Sequence, residues 1–180
     1  MNTFSASPQD SVTYRGLTER LVVDQLISPA GASEIAEVAR SLSKTLIQEL
    51  LDGNHIDSGA LAVIVSEEYG APLFNLTPMV HEHLPLDLVP QSLIRKHKAL
   101  PLYRRGNRLF VAIADPTNTS ALAEFKFATG IATDSVVVEH KQLLEMIDEV
   151  IAKQDEVFDG DIADFASAED YIPDLDVEEE

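Results

Sequence analysis

The sequence predicts an α+β chain: a flexible N-terminus over 1–11, a helical subdomain over 12–84 built on a degenerate tandem repeat, a small α-β-β-α-β-α subdomain over 85–153, and a disordered acidic tail over 154–180. Three observations carry that reading. Sliding the chain by 29 residues superposes apolar positions of two helical copies. The run from Leu100 to Ala114 reads as two short strands around Gly106-Asn107, the strongest local signal in the chain. The net charge of −18 is concentrated at one end.

In the helical part the matched pairs are Leu17 with Leu46, Leu21 with Leu50, Val22 with Leu51, Ile27 with Ile56, and Ile35 with Ile64. Each copy reads as a short helix, a break and a second helix. In copy one Ser28 can cap and Pro29 can occupy the first helical position; in copy two Asp57 caps the segment that begins Ser58-Gly59. Tyr69-Gly70-Ala71-Pro72 stops the last helix, since glycine suits the left-handed position after a helix and proline cannot continue one. With Leu17, Leu21, Leu26, Leu46, Leu50 and Ile56 turned inwards, Tyr14, Val23, Phe74 and Met79 remain as candidate partner-binding anchors, because exposed apolar, aromatic and Met side chains serve interfaces.

From Pro85 the pattern alternates between helix and strand. Pro90 can open a helix through His97. A two-residue turn at Gly106-Asn107 sets Arg105 opposite Arg108, Arg104 opposite Leu109, Tyr103 opposite Phe110 and Leu102 opposite Val111, with Leu100, Leu102, Leu109, Val111 and Ile113 on one face. A helix follows from about Ser120 to Thr129, a third strand over Ser135 to Glu139, and a closing helix over Lys141 to Lys153. Beyond Lys153 there is no Lys or Arg, and the acidic residues from Asp155 to Glu180 carry −12 of the −18, leaving −6 for everything before. Apolar residues there follow neither helical nor strand period, so the tail reads as a solvated linker or a short acidic-hydrophobic docking segment.

The chemistry is defined by what is missing. The sequence holds no Gly-x-x-x-x-Gly-Lys-Ser/Thr phosphate loop, no Gly-x-Gly-x-x-Gly, no Gly-x-Ser-x-Gly and no cysteine, so no catalytic residue, metal site or cofactor site is assigned. Strand spacing would put His81 and His83 on one side of the chain, but His-x-His in a proline-rich connection reads as a solvated loop. Asp115-Pro116 after a strand reads as turn chemistry. No apolar run approaches the roughly 20 residues a bilayer span needs, and no export signal opens the chain, so a soluble cytoplasmic protein is expected. The acidity argues against nucleic-acid binding. One basic cluster stands out, Arg95, Lys96, Lys98, Arg104, Arg105 and Arg108. With Tyr103 and Phe110 beside Arg105 and Arg108, the hairpin is a second candidate surface for a partner.

The run Leu93-Ile-Arg-Lys-His-Lys-Ala-Leu-Pro-Leu-Tyr-Arg-Arg-Gly-Asn-Arg-Leu-Phe-Val-Ala-Ile-Ala-Asp-Pro-Thr-Asn118, followed by Phe125-Lys-Phe-Ala-Thr-Gly130, closely resembles the N-terminal region of the type IV pilus extension ATPases, the PilB family. More distantly it is similar to the N-terminal domain of type II secretion ATPases. The resemblance implies the non-catalytic front of a hexameric motor at the inner-membrane face, with ATP and Mg bound by a core beyond the acidic linker. It implies as partners a PilZ-type adaptor, and through it a cyclic-di-GMP receptor linked to pilus assembly and twitching motility, together with the platform protein PilC and the motor's own core.

Relatives of the helical repeat include tandem cyclic-di-GMP binders whose motif reads Arg-Leu-Gly-x-x-Leu-Val-x-x-Gly-Leu-Ile. Here copy one reads Gly16-Leu-Thr-Glu-Arg-Leu-Val-Val-Asp-Gln-Leu-Ile27 and copy two reads Thr45-Leu-Ile-Gln-Glu-Leu-Leu-Asp-Gly-Asn-His-Ile56. The apolar skeleton is kept, while the cation and both glycines are replaced, which argues against direct dinucleotide binding. A regulatory docking region is therefore the expected function. A direct cyclic-di-GMP sensor and a structural linker between motor and platform are the alternatives.

Overall fold

The 29-residue offset reappears as geometry. Helix α1 (Leu17–Val23) is repeated as α3 (Leu46–Asp52), and α2 (Pro29–Ser41) as α4 (Ser58–Tyr69), each start displaced by 29 positions. The computed structural model describes residues 16–153. Tyr14, the 1–11 stretch and the 154–180 tail of the sequence reading lie outside the described residues.

The caps are those the sequence calls for. The Ser28 hydroxyl accepts from the Gly31 amide at 3.0 Å with Pro29 in the first turn, and Asp57 accepts from Ala60 at 3.0 Å. Thr45 heads α3 in a reciprocal box with Gln48, satisfying two amide groups that a helix start leaves without partners. Gly70 ends α4 in the left-handed region (φ +63°), where a β-carbon would be strained. Leu21, Leu50, Ile47, Leu61 and Val65 fill the core of the four helices. Leu26 departs from expectation: it is exposed, because the chain has already turned out of α1 when it reaches that residue.

Two short 3-10 turns, His81–His83 and Leu86–Leu88, lead into the second half. His81 and His83 thus stand on a 3-10 turn, not a strand, and His81 is paired with Glu149 at 3.2 Å and Lys153 at 3.1 Å. Then follow α5 (Gln91–His97), β1 (Leu100–Arg105), β2 (Arg108–Ile113), α6 (Thr119–Thr129), β3 (Ala132–Val137) and α7 (140–153), in the order expected. The third strand starts three residues earlier than the sequence suggested. β1 and β2 form the antiparallel hairpin, β3 lies parallel to β2 with α6 as the crossover, and β2 is central.

Gly106 takes φ +59°, as a two-residue hairpin turn requires at its first position. The register agrees with expectation at Arg105/Arg108, Arg104/Leu109 and Tyr103/Phe110, then slips: Pro101 faces Val111 and Leu100 faces Ala112, with an irregularity at Leu102. The extra residue lets Leu100, Pro101 and Leu102 all be buried at the start of an edge strand, where proline costs no ladder bond.

The two halves are bonded together. Residues 72–74 run beside β3, with the Phe74 amide donating to Val137 O and the Val137 amide donating to Pro72 O, both at 2.8 Å, which covers that edge of the sheet. Val137 belongs to the helical core, whereas Val136 and Val138 belong to the second core. Ser58 donates to Glu139 at 2.8 Å and Thr45 to Asp115 at 2.5 Å. The sequence reading draws its division after residue 84; packing passes from the first core to the second between Ala71 and Phe74.

Candidate functional site

The turns that follow α1 and α3 are one structure made twice. The Leu26 amide donates to Leu21 O (3.0 Å) and the Gln25 amide to Val22 O (3.1 Å); 29 residues on, His55 donates to Leu50 O and Asn54 to Leu51 O, each at 3.2 Å. Both close with a residue in the left-handed region, Gln25 (φ 58°) and Asn54 (φ 50°). This bond pattern is the Schellman helix end. Its left-handed position is the one at which the dinucleotide motif quoted above has its second glycine, and here Gln25 and Asn54 occupy it.

Between α3 and the second half lies a cleft of about 240 Å³, lined by Lys44, Asp52, Lys96, Lys98, Asp115 and His140 among others. Its cations are already engaged. Asp52 accepts from Lys44 at 2.8 Å and from Lys98 at 3.4 Å, and Lys96 holds Glu124 at 2.7 Å. The hydrogen bond from Lys44, aided by Lys98, keeps the Asp52 carboxyl below the ordinary carboxylate range, and Lys96 followed by His97 does the same for Glu124. Asp115 is buried and accepts from Thr45 as well as from the Thr117 amide and hydroxyl. It makes the expected turn, and also a bond between the halves that the sequence did not reveal. Burial, with Lys98 nearby, pushes the His140 imidazole below its usual pKa. This is a mixed-charge seam, and among the described residues no group of three His, Cys, Asp or Glu could hold a metal ion.

Of the four anchor residues first proposed, Val23 is 69% exposed at the end of α1. Phe74 and Met79 are half-buried against the second core, and Tyr14 lies outside the described residues. The structure adds Leu26, Val38 and Leu42, all exposed, the last at 55%. Comparison of the copies singles out Val23, Leu26 and Val38, whereas the equivalent of Leu42 is the apolar Ala71. The equivalents of Val23, Leu26 and Val38 are Asp52, His55 and Glu67, which are also exposed. The fold therefore accepts polar side chains at these positions, and copy one carries apolar ones at a solvation cost of about 25 cal/mol per Å² exposed. Aligning exposed positions, and not only core ones, would have found this signal in the sequence.

The hairpin surface is assembled as expected. The Tyr103 and Phe110 rings stack at 4.5 Å, Arg105 is exposed beside them, and Arg108 forms a two-pronged pair with Asp134, both contacts at 2.7 Å. Phe127, 91% exposed on α6, was not singled out by sequence.

Residues 69–157 match the model of the MshEN domain. The chain is 33% identical over 141 residues to the type IV pilus assembly ATPase PilB of Pseudomonas aeruginosa, covering 78% of this chain and 25% of that protein. It is 30% identical over 151 residues to PilB of Myxococcus xanthus, covering 82% and 27%. The chain thus spans about a quarter of the length of these curated relatives. Among solved structures, MshE with cdg aligns with a TM-score of 0.58 at 20% identity, over 76% of this chain and 99% of that one. The N-terminal domain of XpsE gives a TM-score of 0.60 at 17% identity, over 76% and 96%. At these identities the two structures speak for the fold.

Proposed function

Because residues 69–157 are an MshEN domain and the chain is homologous to the N-terminal region of PilB type IV pilus assembly ATPases, we propose that it is the non-catalytic docking region of a pilus extension motor and that copy one of its repeat receives a PilZ-type adaptor. On this reading the ATPase core, with its ATP and Mg, lies outside the chain. The platform protein PilC and that core are further partners, and the work is done at the cytoplasmic face of the inner membrane. No helix among the described residues is long and apolar enough to cross a bilayer.

The observation that carries the adaptor reading is that Val23, Leu26 and Val38 are exposed apolar residues where copy two bears Asp52, His55 and Glu67. It also supplies the test. Val23→Asp, Leu26→His and Val38→Glu install residues the same fold already tolerates 29 positions later. Loss of one interface anchor is worth about 2 kcal/mol, so each of the stronger substitutions should weaken adaptor binding roughly thirtyfold in calorimetric titration. Thermal unfolding should stay near that of the parent chain. Undiminished affinity in the triple variant, with loss on Phe110→Ala, would move the site to the hairpin.

Direct cyclic-di-GMP binding is favoured by one observation, the two turns that place a left-handed residue where the motif has its second glycine. Against it stand Gly16 and Thr45 at the cation positions and the engagement of Lys44 and Lys98 by Asp52. Titration with cyclic-di-GMP separates the two readings, since only the sensor reading expects heat of binding without an adaptor.

A further inference from the structure

The exposed hairpin face carries charge and apolar surface that the other described residues leave unused. Tyr103 is 43% exposed although stacked on Phe110, and Tyr69, across a groove of about 380 Å³ that also runs past Arg108, Phe110 and Asp134, is exposed as well. On this face Arg105 is exposed and has no carboxylate partner among the described residues, while Arg104, opposite the buried Leu109, belongs to the other face of the hairpin. Arg108, opposite Arg105, is paired with Asp134. In a chain of net charge −18, a guanidinium group unmatched by an acid among the described residues, beside a stacked aromatic pair, is a local exception.

The chain's own C-terminal end has the complementary chemistry. Beyond Lys153 it holds no cation, and its aromatic residues Phe158, Phe165 and Tyr171 are each flanked by Asp or Glu within two positions. We propose that this acidic-aromatic segment, residues 155–171, docks on the hairpin face, placing an aromatic ring in the groove beside Phe110 and a carboxylate on Arg105. Phe165, 12 residues after Lys153, can lie up to about 40 Å from it, more than the roughly 30 Å diameter of a small domain. Tethering supplies the affinity: covalent linkage gives an effective concentration of order mM, so a contact too weak to detect between separate molecules is populated within one chain. The inference concerns a different face from the adaptor site and stands independently of it.

The absence of cysteine makes the test clean. Ser167→Cys in the full 180-residue chain accepts a single nitroxide label, and amide line broadening reports which surface the label visits. The expected result is several-fold stronger broadening over 103–110 and 134–135 than elsewhere. It should be lost at about 1 M salt, where screening is complete within roughly 3 Å, and lost again in Arg105→Glu. Phe158→Asp/Phe165→Asp should have the same effect while leaving the folded part unaltered. Broadening that is uniform, centred elsewhere, or seen when unlabelled-tail and spin-labelled chains are mixed would overturn the proposal, the last in favour of a second copy. So would an undisturbed hairpin in a chain that cosediments with anionic phospholipid vesicles, which would assign the face to a membrane.

Discussion

The bond from Thr45 to Asp115 is the shortest polar link between the two halves, and its worth can be worked out from its surroundings. The Thr45 hydroxyl accepts from the Gln48 amide as the cap of α3 and donates to Asp115 at 2.5 Å; Asp115, 6% exposed, takes two further bonds from Thr117. A cap is worth about 1 kcal/mol and a hydrogen bond to a charged group about 1.5–3 kcal/mol. Thr45→Ala should therefore destabilise by about 3 kcal/mol. Asp115→Ala should cost about 3–4 kcal/mol, less than the sum of its three bonds because removing a buried charge also recovers desolvation energy. The double variant should show a coupling of about 2 kcal/mol, while Thr45→Ser, which keeps the hydroxyl, should stay within about 0.5 kcal/mol of the parent. Urea unfolding followed by circular dichroism measures all four. A coupling under about 0.5 kcal/mol would show that the bond does not tie the halves together, and a lowered urea slope in the variants would show that they unfold apart.

Gln25→Gly should raise unfolding free energy by about 0.5–1 kcal/mol, because the relief of a left-handed non-glycine exceeds the entropy glycine loses, whereas Asn54→Gly should change little since asparagine tolerates that region. Equal effects at the two sites would refute the reasoning. The depressed pKa of His140 means that the unfolded chain takes up its proton first, so this contribution to stability is complete above about pH 6.5 and falls as pH drops from there towards the folded value. His140→Gln should flatten that part of the curve in urea melts at pH 7.5 and 5.5, with Lys98 and Asp52, the charged groups facing it, left in place.

Much of the fold was legible because its signals are local. Ser28-Pro29, Asp57 and Gly70 act within a single turn, and Gly106-Asn107 sets a register over three pairs. What the sequence concealed depends on distant partners. The slip at Leu102 arises because Leu100, Pro101 and Leu102 are all drawn into a core completed by α5 and α7, which alternation within one strand cannot express. The beginning of β3 is polar, Ala132-Thr133-Asp134, and becomes strand only because β2 offers a parallel edge. At the candidate sites, Val23 and the hairpin residues could be read from exposure and residue type. Asp115 was read as a turn alone, since its bond to Thr45 spans 70 positions.

The two copies have kept one backbone and divided its surface. Val23 and Asp52 end equivalent helices at equivalent positions, yet Asp52 collects Lys44 and Lys98 at the seam with the second half, and Val23 faces solvent. A Schellman turn needs only its hydrogen bonds and one residue willing to be left-handed, so it constrains little at the exposed positions around it. That freedom lets copy two put Asp52 there and bond it to Lys98 of the α/β half, while copy one puts Val23 and Leu26 there, exposed among the described residues. The cations that could have met a phosphate are occupied by Asp52 in the process. The same pair of residues thus weakens the case for a dinucleotide in the cleft and strengthens the case for a protein partner on the opposite copy.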